Sequence, residues 1–590
     1  MNRLCIKITG ESGSGLLSTG EILMKAMKSM GFYVVADREY PSLIKGGTAC
    51  FILNASLKPI RSLAKRVDVM MAIDKQSLVV YFDDLKRGGL LIHGYERPLG
   101  VKDIHALAAE RGVKILHRMA REIAEENGGN VLMVNVVLAG MFWKALGLDY
   151  CFIEAEVTEQ FKDKPKLLAI DLKCLKAGYE KADVQMKVEV PKMAAGGVAG
   201  AKKTILIDGN HSITLGAIHA GCRVYFAYPM SPSSSILTHF SEYAVKTGAL
   251  VKQVEDEISV VNMTLGAMYM GTRALCATSG GGFDLMTETV SLAGMIETPL
   301  VVVVAQRPGP ATGLPTWTAQ GDLDLAVHAG HGEFPRVVIA VSDPSDCFEL
   351  IQHAFNIAEK YQAVVILLTE KVVAETNMNV PEFEMGKIKI ERGLVGQAEM
   401  KNLENSDRYK VTANGLSKRW LPGTDGAYYF ANGDEHWEDG SLLEDSPRTA
   451  VMYEKRMKKG ELIEKNLPEP VVYGVKKNAD ISFVGWGSSK NVMMDVIASC
   501  AERGHAGRQA GVKVNYLHYS YVFPLKTKVA EKFFAENKNV HLIEGNYNGQ
   551  LGNMLEAKLG RKMRSRMLKY DGRPFFMEEV EAFVKKNLRK

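Results

Sequence analysis

The sequence predicts an α/β protein built from three successive units with mostly parallel sheets. Three observations carry this expectation. Short β-branched and aliphatic runs alternate with helix-patterned stretches in three separate blocks of the chain, the signature of strands joined by helical crossovers. The chain holds 55 glycines against 20 prolines, which suits tight strand-to-helix turns better than a disordered chain. Its 590 residues, 46% hydrophobic, are enough for three or four domains at about 150 residues each.

The first unit spans 1–190. RLCIKIT (3–9) is a short strand, GESGSG (10–15) a turn, and LLSTGEILMKAMKSMG a helix ending on Gly31. YVVAD (33–37), VDVMMAID (67–74) and GGLLIHG (88–94) read as further strands of a parallel unit. VLMVNVVLAGMFW (131–143) carries Asn135 and is too short to span a bilayer, so a buried helix is expected. KMAAGGVAGAKK (192–203) is small, Gly/Ala-rich and cationic, and places a linker at 191–204. The second unit, 205–380, has six strand-like runs: 221–228, 249–254, 273–279, 298–306, 336–342 and 363–369. Helix patterns lie between them, giving a doubly wound parallel sheet. Residues 381–475 are polar and aperiodic. They read as an irregular connector, packed through Tyr428, Tyr429, Phe430 and Trp437 and ending in the helix SPRTAVMYEKRMKKGELIEKN. The third unit, 476–590, repeats the alternation through ISFVGWG, VKVNYLHY and NVHLIEG.

Composition narrows the function. Lys+Arg 73 against Asp+Glu 68 leaves a net charge of +5, which argues against a nucleic-acid partner. None of the eight cysteines lies in a CxxC. That spacing reads as a reduced, intracellular chain with no iron–sulfur cluster or structural zinc of its own. MNRLCIKITGESG lacks the apolar core of a signal peptide, so a cytoplasmic protein without a membrane partner is expected.

Several strand-end segments carry chemistry. GESGSG spaces its glycines as GxxGxG and is followed by Leu16 and Leu17, so it matches neither the dinucleotide fingerprint nor a P-loop. It remains either a tight docking turn or an anion site at a helix start. Lys45, in IKGG, is either solvated or faces an anion. YPMSPSSS (228–235) sets several hydroxyls where a helix begins. They suit a carboxylate or keto oxygen, or else Ser233 or Ser234 is an ordinary N-cap. In EDEISVVN (255–262) three acids meet a helix start. The helix dipole alone explains acids there. Alternatively Glu257 points inward as a desolvated carboxylate of raised pKa, able to share a proton with a heterocycle nitrogen. ATSGGGFDLMTE and QRPGPATGLPTWTAQGDLD close two more strands, and Arg307 either pairs with an anion or makes a structural salt bridge.

GNHSITLGAIHAGCRVYFAYPMSPSSSI, EDEISVVNMTLGAMYMGTRALCATSGGGFDLMTETVSLAGMIETPLVVVVAQRPGPATGLPT and EGNYNGQLGNML together resemble the alpha subunit of 2-oxoacid:ferredoxin oxidoreductases, most closely the type acting on 2-oxoglutarate. EYPSLIKGG (39–47) resembles the gamma domain that such chains carry fused ahead of the alpha domain. The resemblance implies a gamma-like unit, a thiamine-type pyrimidine-binding unit and a transketolase C-terminal-like unit. It implies thiamine diphosphate chemistry: a 2-oxoacid is decarboxylated, electrons pass to ferredoxin, and coenzyme A takes the acyl group. By that pattern Glu257 contacts the pyrimidine and is catalytic. Ser231 and Arg307 bind the 2-oxoacid, and Tyr228, Pro229, Ser279 and Gly280 line the cofactor. Ser231 stands where the family usually has Thr, and Ser235 where it usually has Glu. The chain contains no GDG, the motif that holds magnesium and diphosphate in such sites. Mg2+ and a [4Fe-4S] cluster are therefore expected on a separate beta subunit, in an alpha2beta2 assembly. The readings weighed against this are a non-catalytic assembly subunit, a paralogue acting on pyruvate, and a nicotinamide dehydrogenase, which the missing GxGxxG opposes.

Overall fold

A computed structural model describes residues 3–43, 46–95, 104–190, 200–505 and 511–588. Two compact units emerge: Met1–Ile207 with Thr376–Glu382 and Phe576–Ala582, and Asp208–Glu375 with Phe383–Phe575 and Phe583–Lys590. Lys45 and residues 191–199 of the expected linker lie outside the described residues.

The first unit holds an eight-stranded sheet among the described residues. Lys114–His117, Leu85–His93, Val67–Ala72 and Arg3–Glu11 are parallel neighbours. From there the sheet turns antiparallel, because Thr48–Ser56 sits between Arg3–Glu11 and Tyr33–Glu39. Eight of its nine residues are buried, so it lacks the alternation that marks a half-exposed strand. Beyond Tyr33–Glu39 come Asn377–Pro381 and then Thr204–Ile207. These two strands correct the expected boundaries, since both ends of the 205–380 block belong to the first sheet. Asn379 shows why. Its Oδ1 accepts the Val34 N–H at 2.7 Å and its Nδ2 donates to Thr204 Oγ1 at 2.7 Å.

Helix Val134–Ala145 lies in the core of this unit, with Val137, Leu138, Phe142 and Trp143 fully buried. It crosses helix Pro165–Glu180 through two reciprocal glycines. A Cβ on Gly140 would stand 2.2 Å from the Leu175 carbonyl oxygen, and one on Gly178 2.1 Å from that of Val137. Among the described residues no single helix is long and apolar enough to cross a membrane.

The second unit contains a seven-stranded sheet, ordered Tyr521–Phe523, Arg336–Ala340, Val364–Glu370, Leu300–Gln306, Ala274–Thr278, Val224–Ala227 and Leu250–Gln253. The six strands from 224 to 370 are parallel. The chain moves outward from Val224–Ala227 to Leu250–Gln253, then crosses back to Ala274–Thr278. The order reverses there, and the carboxyl ends of Val224–Ala227 and Ala274–Thr278 flank the crevice that such a reversal opens.

Residues 471–568 form a five-stranded sheet within the same compact unit. Tyr521–Phe523 leaves it to pair antiparallel with Arg336–Ala340. Trp486, Leu517 and Tyr519 share one apolar core with Val302 and Ile366.

The connector is pinned mainly by buried charge. Glu359 is clasped by Arg273 at 2.7 Å, Arg392 at 2.9 Å and Arg419 at 3.6 Å. Glu297 pairs with Lys455 and, at 2.7 Å, with Lys459, both on helix Ser446–Asn466. Burial would raise the Glu297 carboxyl, but the two ammonium groups outweigh it and hold the carboxyl well below the usual range. Of the four aromatics expected to pack, Tyr428 and Phe430 are exposed. Tyr409 and Trp420 carry that burial, with Tyr429 and Trp437 partly packed against them.

Two stability predictions follow from these contacts. Gly140→Ala or Gly178→Ala forces a methyl into backbone and should cost about 3 kcal/mol in denaturant unfolding of the first unit; a loss below about 0.5 kcal/mol would show that the crossing relaxes freely. Glu297→Gln leaves two buried ammonium groups without a counter-charge and should cost about 3–5 kcal/mol in the same measurement, whereas an unchanged midpoint would remove the pair as an anchor.

Candidate functional site

The site is assembled from four strand-end turns on the carboxyl side of the seven-stranded sheet. The first is 228–235, after Val224–Ala227. Asn210 Nδ2 donates to the Pro232 carbonyl at 2.8 Å and to Ser235 Oγ at 2.7 Å. Ser233 Oγ donates back to the Met230 carbonyl at 2.7 Å and makes no cap bond at the start of helix Ser234–Thr247. The Ser233 and Ser235 hydroxyls thus stabilise the turn, and Ser233 does not cap the helix. Tyr228 and Pro229 lie exposed where the strand ends.

The second turn carries the three acids, and the structure gives each a different fate. Asp256 is the N-cap of helix Glu257–Tyr269, accepting the Ser259 N–H at 2.8 Å. Glu255 is exposed and accepts from Ser259 Oγ at 3.0 Å. Glu257 turns inward, 4% exposed, and its Oε1 is buried without a hydrogen-bond partner.

The third turn opens helix Gly280–Met295 with three consecutive glycines. Ser279, the N-cap, is fully buried, makes no cap bond, and leaves its Oγ without a partner. A Cβ on Gly282 would stand 2.0 Å from Thr278 Oγ1 and 2.6 Å from Glu257 Oε1. One on Gly280 would stand 2.8 Å from each carboxylate oxygen of Asp322. The glycines therefore let two carboxyls reach the first turn of a helix, where amide groups have no intrahelical partner.

The fourth turn, after Leu300–Gln306, supplies Arg307. Its Nη1 donates to the Ser231 carbonyl at 2.8 Å, which joins the first and fourth turns. Burial lowers the Arg307 pKa, and the Asp322 charge opposes that shift. Asp322 itself is pushed up to about 6 by burial and by Asp284, against the pull of Arg307. Sequence reasoning missed Asp322, although TAQGDLD sets an acid after a glycine in the same strand-end segment as Arg307.

Glu257, Ser279, Gly280, Ser231 and Arg307 are thus brought to one edge of the sheet. Three buried polar atoms there, Glu257 Oε1, Ser279 Oγ and Asp322 Oδ2, have no partner among the described residues. Left unsatisfied, such atoms cost about 1–3 kcal/mol each, so the turn is shaped for a polar ligand.

Comparison with known proteins gives this crevice a class. The family described as "Pyruvate flavodoxin/ferredoxin oxidoreductase, thiamine diP-bdg" matches residues 215–454, and "Pyruvate ferredoxin/flavodoxin oxidoreductase" matches residues 5–181. The chain is 30% identical to a 2-oxoacid:ferredoxin oxidoreductase subunit alpha of Sulfolobus sp, covering 99% of this chain and 97% of the relative. It is 25% identical to the 2-oxoglutarate oxidoreductase subunit KorA of Mycobacterium tuberculosis, over 99% of this chain and 91% of that one. The solved 2-oxoglutarate:ferredoxin oxidoreductase of Magnetococcus marinus superposes with a TM-score of 0.89 at 28% identity, covering 100% of both chains. These matches make the protein an oxidoreductase chain with a thiamine diphosphate-binding domain. The chain belongs to the alpha-subunit family of 2-oxoacid:ferredoxin oxidoreductases.

Proposed function

We propose that this chain supplies the pyrimidine-binding half of a thiamine diphosphate site in an enzyme, active only with a beta subunit, that oxidatively decarboxylates 2-oxoglutarate, with coenzyme A as acyl acceptor and ferredoxin as electron acceptor. The observation that carries this reading is the buried, partnerless Glu257 Oε1 beside the glycine turn. The names of the Mycobacterium tuberculosis and Magnetococcus marinus relatives support the substrate, and the latter structure holds 2-oxoglutarate, coenzyme A and succinyl-CoA. The absence of GDG and of a cysteine cluster motif from the sequence supports a beta subunit as holder of Mg2+ and the [4Fe-4S] cluster, in a cytoplasmic alpha2beta2 enzyme.

The residues present fit the cofactor. A carboxylate oxygen and a hydroxyl without protein partners, next to a cradle that any Cβ would fill, match the donors, acceptor and flat ring of an aminopyrimidine. Glu257 holds a proton between its Oε1 and a ring nitrogen. Ser279, Gly280, Tyr228 and Pro229 are the further residues that would line the cofactor there. When bound, thiamine diphosphate supplies the nucleophilic carbon and the electron sink for decarboxylation. Arg307, already fixed to the Ser231 carbonyl, would offer its remaining N–H groups to the substrate carboxylate, and the Ser231 hydroxyl is the group that would bond the keto oxygen.

The test is the complex purified with its beta subunit and assayed with 2-oxoglutarate, pyruvate, coenzyme A and ferredoxin. Preference for pyruvate would overturn the substrate assignment. Glu257→Gln should lower turnover by roughly 10²- to 10⁴-fold without shifting the unfolding midpoint; near-native turnover would remove Glu257 from the chemistry. Arg307→Ala should lower kcat/KM for the 2-oxoacid by roughly 10- to 100-fold, the worth of one hydrogen bond to a charged group, and leave the coenzyme A KM alone. Unchanged kinetics would take Arg307 out of the substrate site.

A further inference from the structure

The turn that carries Ser231 is gripped through three consecutive carbonyls, each by a different part of the chain. The Met230 carbonyl accepts from Ser233 N–H at 2.9 Å and from Ser233 Oγ at 2.7 Å, within the turn itself. The Ser231 carbonyl accepts from Arg307 Nη1 at 2.8 Å. The Pro232 carbonyl accepts from Asn210 Nδ2 at 2.8 Å. This third grip comes from helix Gly209–His219, which supplies no other group to the crevice.

Asn210 is fully buried. Its amide nitrogen also donates to Ser235 Oγ at 2.7 Å, while its Oδ1 has no partner among the described residues. A prolyl carbonyl can only accept, so the nitrogen end of the amide must face it. An amide kept only for packing would have both ends satisfied. Here both N–H groups go to the turn and the oxygen is left bare. The helix behind Asn210 is a firm platform. Asp208 caps it, accepting the His211 N–H at 2.8 Å. A Cβ on Gly209 would stand 2.3 Å from the Val373 carbonyl oxygen, and one on Gly216 2.4 Å from that of Phe348, so the helix lies directly against neighbouring main chain. His211 stacks on His239 with ring centroids 4.2 Å apart, and its Nε2 meets the Tyr243 hydroxyl at 2.8 Å. Both partners lie on helix Ser234–Thr247, which starts where the turn ends. Adjacent residues 210 and 211 thus hold the turn and the helix that follows it.

We infer that Asn210 is a positioning residue of the 2-oxoacid site, which sets the direction of the Ser231 hydroxyl by holding the Pro232 carbonyl. This rests on the substrate-binding role proposed for Ser231. Proline locks its own φ, so with the carbonyls of residues 230, 231 and 232 all held, the backbone at Ser231 has little freedom left. Serine lacks the methyl that restricts the side-chain rotamer of threonine, so the placing of its oxygen falls more heavily on that backbone.

The experiment uses the whole complex with its beta subunit. Asn210→Asp keeps the shape, and an acid in the first turn of a helix suits the helix dipole, but it sets an acceptor against the Pro232 carbonyl in place of a donor. It should lower kcat/KM for the 2-oxoacid by roughly 10- to 100-fold, the scale of a small misplacement at a reacting centre, and leave the coenzyme A KM unchanged. Ser231→Ala removes the hydroxyl itself. The double variant should fall short of the product of the two single effects, because both act through one hydroxyl. A full product would overturn the inference, since an asparagine that only stabilises the fold acts independently of Ser231. An unchanged 2-oxoacid kcat/KM in Asn210→Asp would overturn it too, as would an equal loss for the 2-oxoacid and coenzyme A. If Asn210→Asp does not assemble, Ser235→Ala decides, because it frees the amide on one side only: a selective fall in 2-oxoacid kcat/KM supports the inference, and native kinetics overturn it. A native complex that turns over no 2-oxoacid defeats the functional reading itself and this inference with it; a native complex that is active while Asn210→Asp matches it defeats only the inference.

Discussion

The site depends on how closely two acidic side chains approach the start of helix Gly280–Met295. Glycines at 280 and 282 make that approach possible, since a methyl at either position would collide with a carboxylate. Burying a carboxylate is costly unless something compensates it. Here the sequence separates the two acids by 65 positions, 257 against 322, and the strand reversal brings them to one turn. The first amides of the helix and its positive dipole end lie where two negative groups meet. A ligand that carries its own donors completes the arrangement.

Much of the second unit was legible from its residues. All six expected strands form: Ala274–Thr278, Leu300–Gln306, Arg336–Ala340 and Val364–Glu370 are buried along their whole length, while Leu250–Gln253 is a largely exposed edge strand. The long helix ahead of the C-terminal sheet forms over Ser446–Asn466 as expected, marked by Asp445 as its cap and Pro447 in its first turn. The first sheet was less legible. Thr48–Ser56 lacks polar alternation, and TACFILNAS is too short to separate strand from helix by period. Asn377–Pro381 and Thr204–Ile207 could not be assigned at all, because their pairing partners lie far away in sequence.

The site divides in the same way. Glu257 and Arg307 stood out at strand-end turns with a structural alternative open for each, and only the family resemblance gave them roles; the structure turns Glu257 inward and ties Arg307 to the Ser231 carbonyl. Asp322 did not, because its meaning comes from Gly280, and that neighbour is not visible in TAQGDLD. The connector shows the converse error. Its exposed aromatics Tyr428 and Phe430 were read as packing, while Tyr409 and Trp420 do the packing and ion pairs on Glu297 and Glu359 pin the segment. Aromatic content marks burial only on average, and buried charge pairs leave no local pattern in a sequence.

Asn379 links three strands that leave the ribosome at very different times. Strand Tyr33–Glu39 emerges early, Thr204–Ile207 well after it, and Asn377–Pro381 only once the second unit's last parallel strand has been made. Until then the nascent amino-terminal unit carries an open sheet edge, which is an invitation to pair with foreign strands. Translation order thus becomes a constraint on this chain: cutting it after residue 207 removes the strand that seals that edge, so the amino-terminal unit expressed alone lacks its own closure.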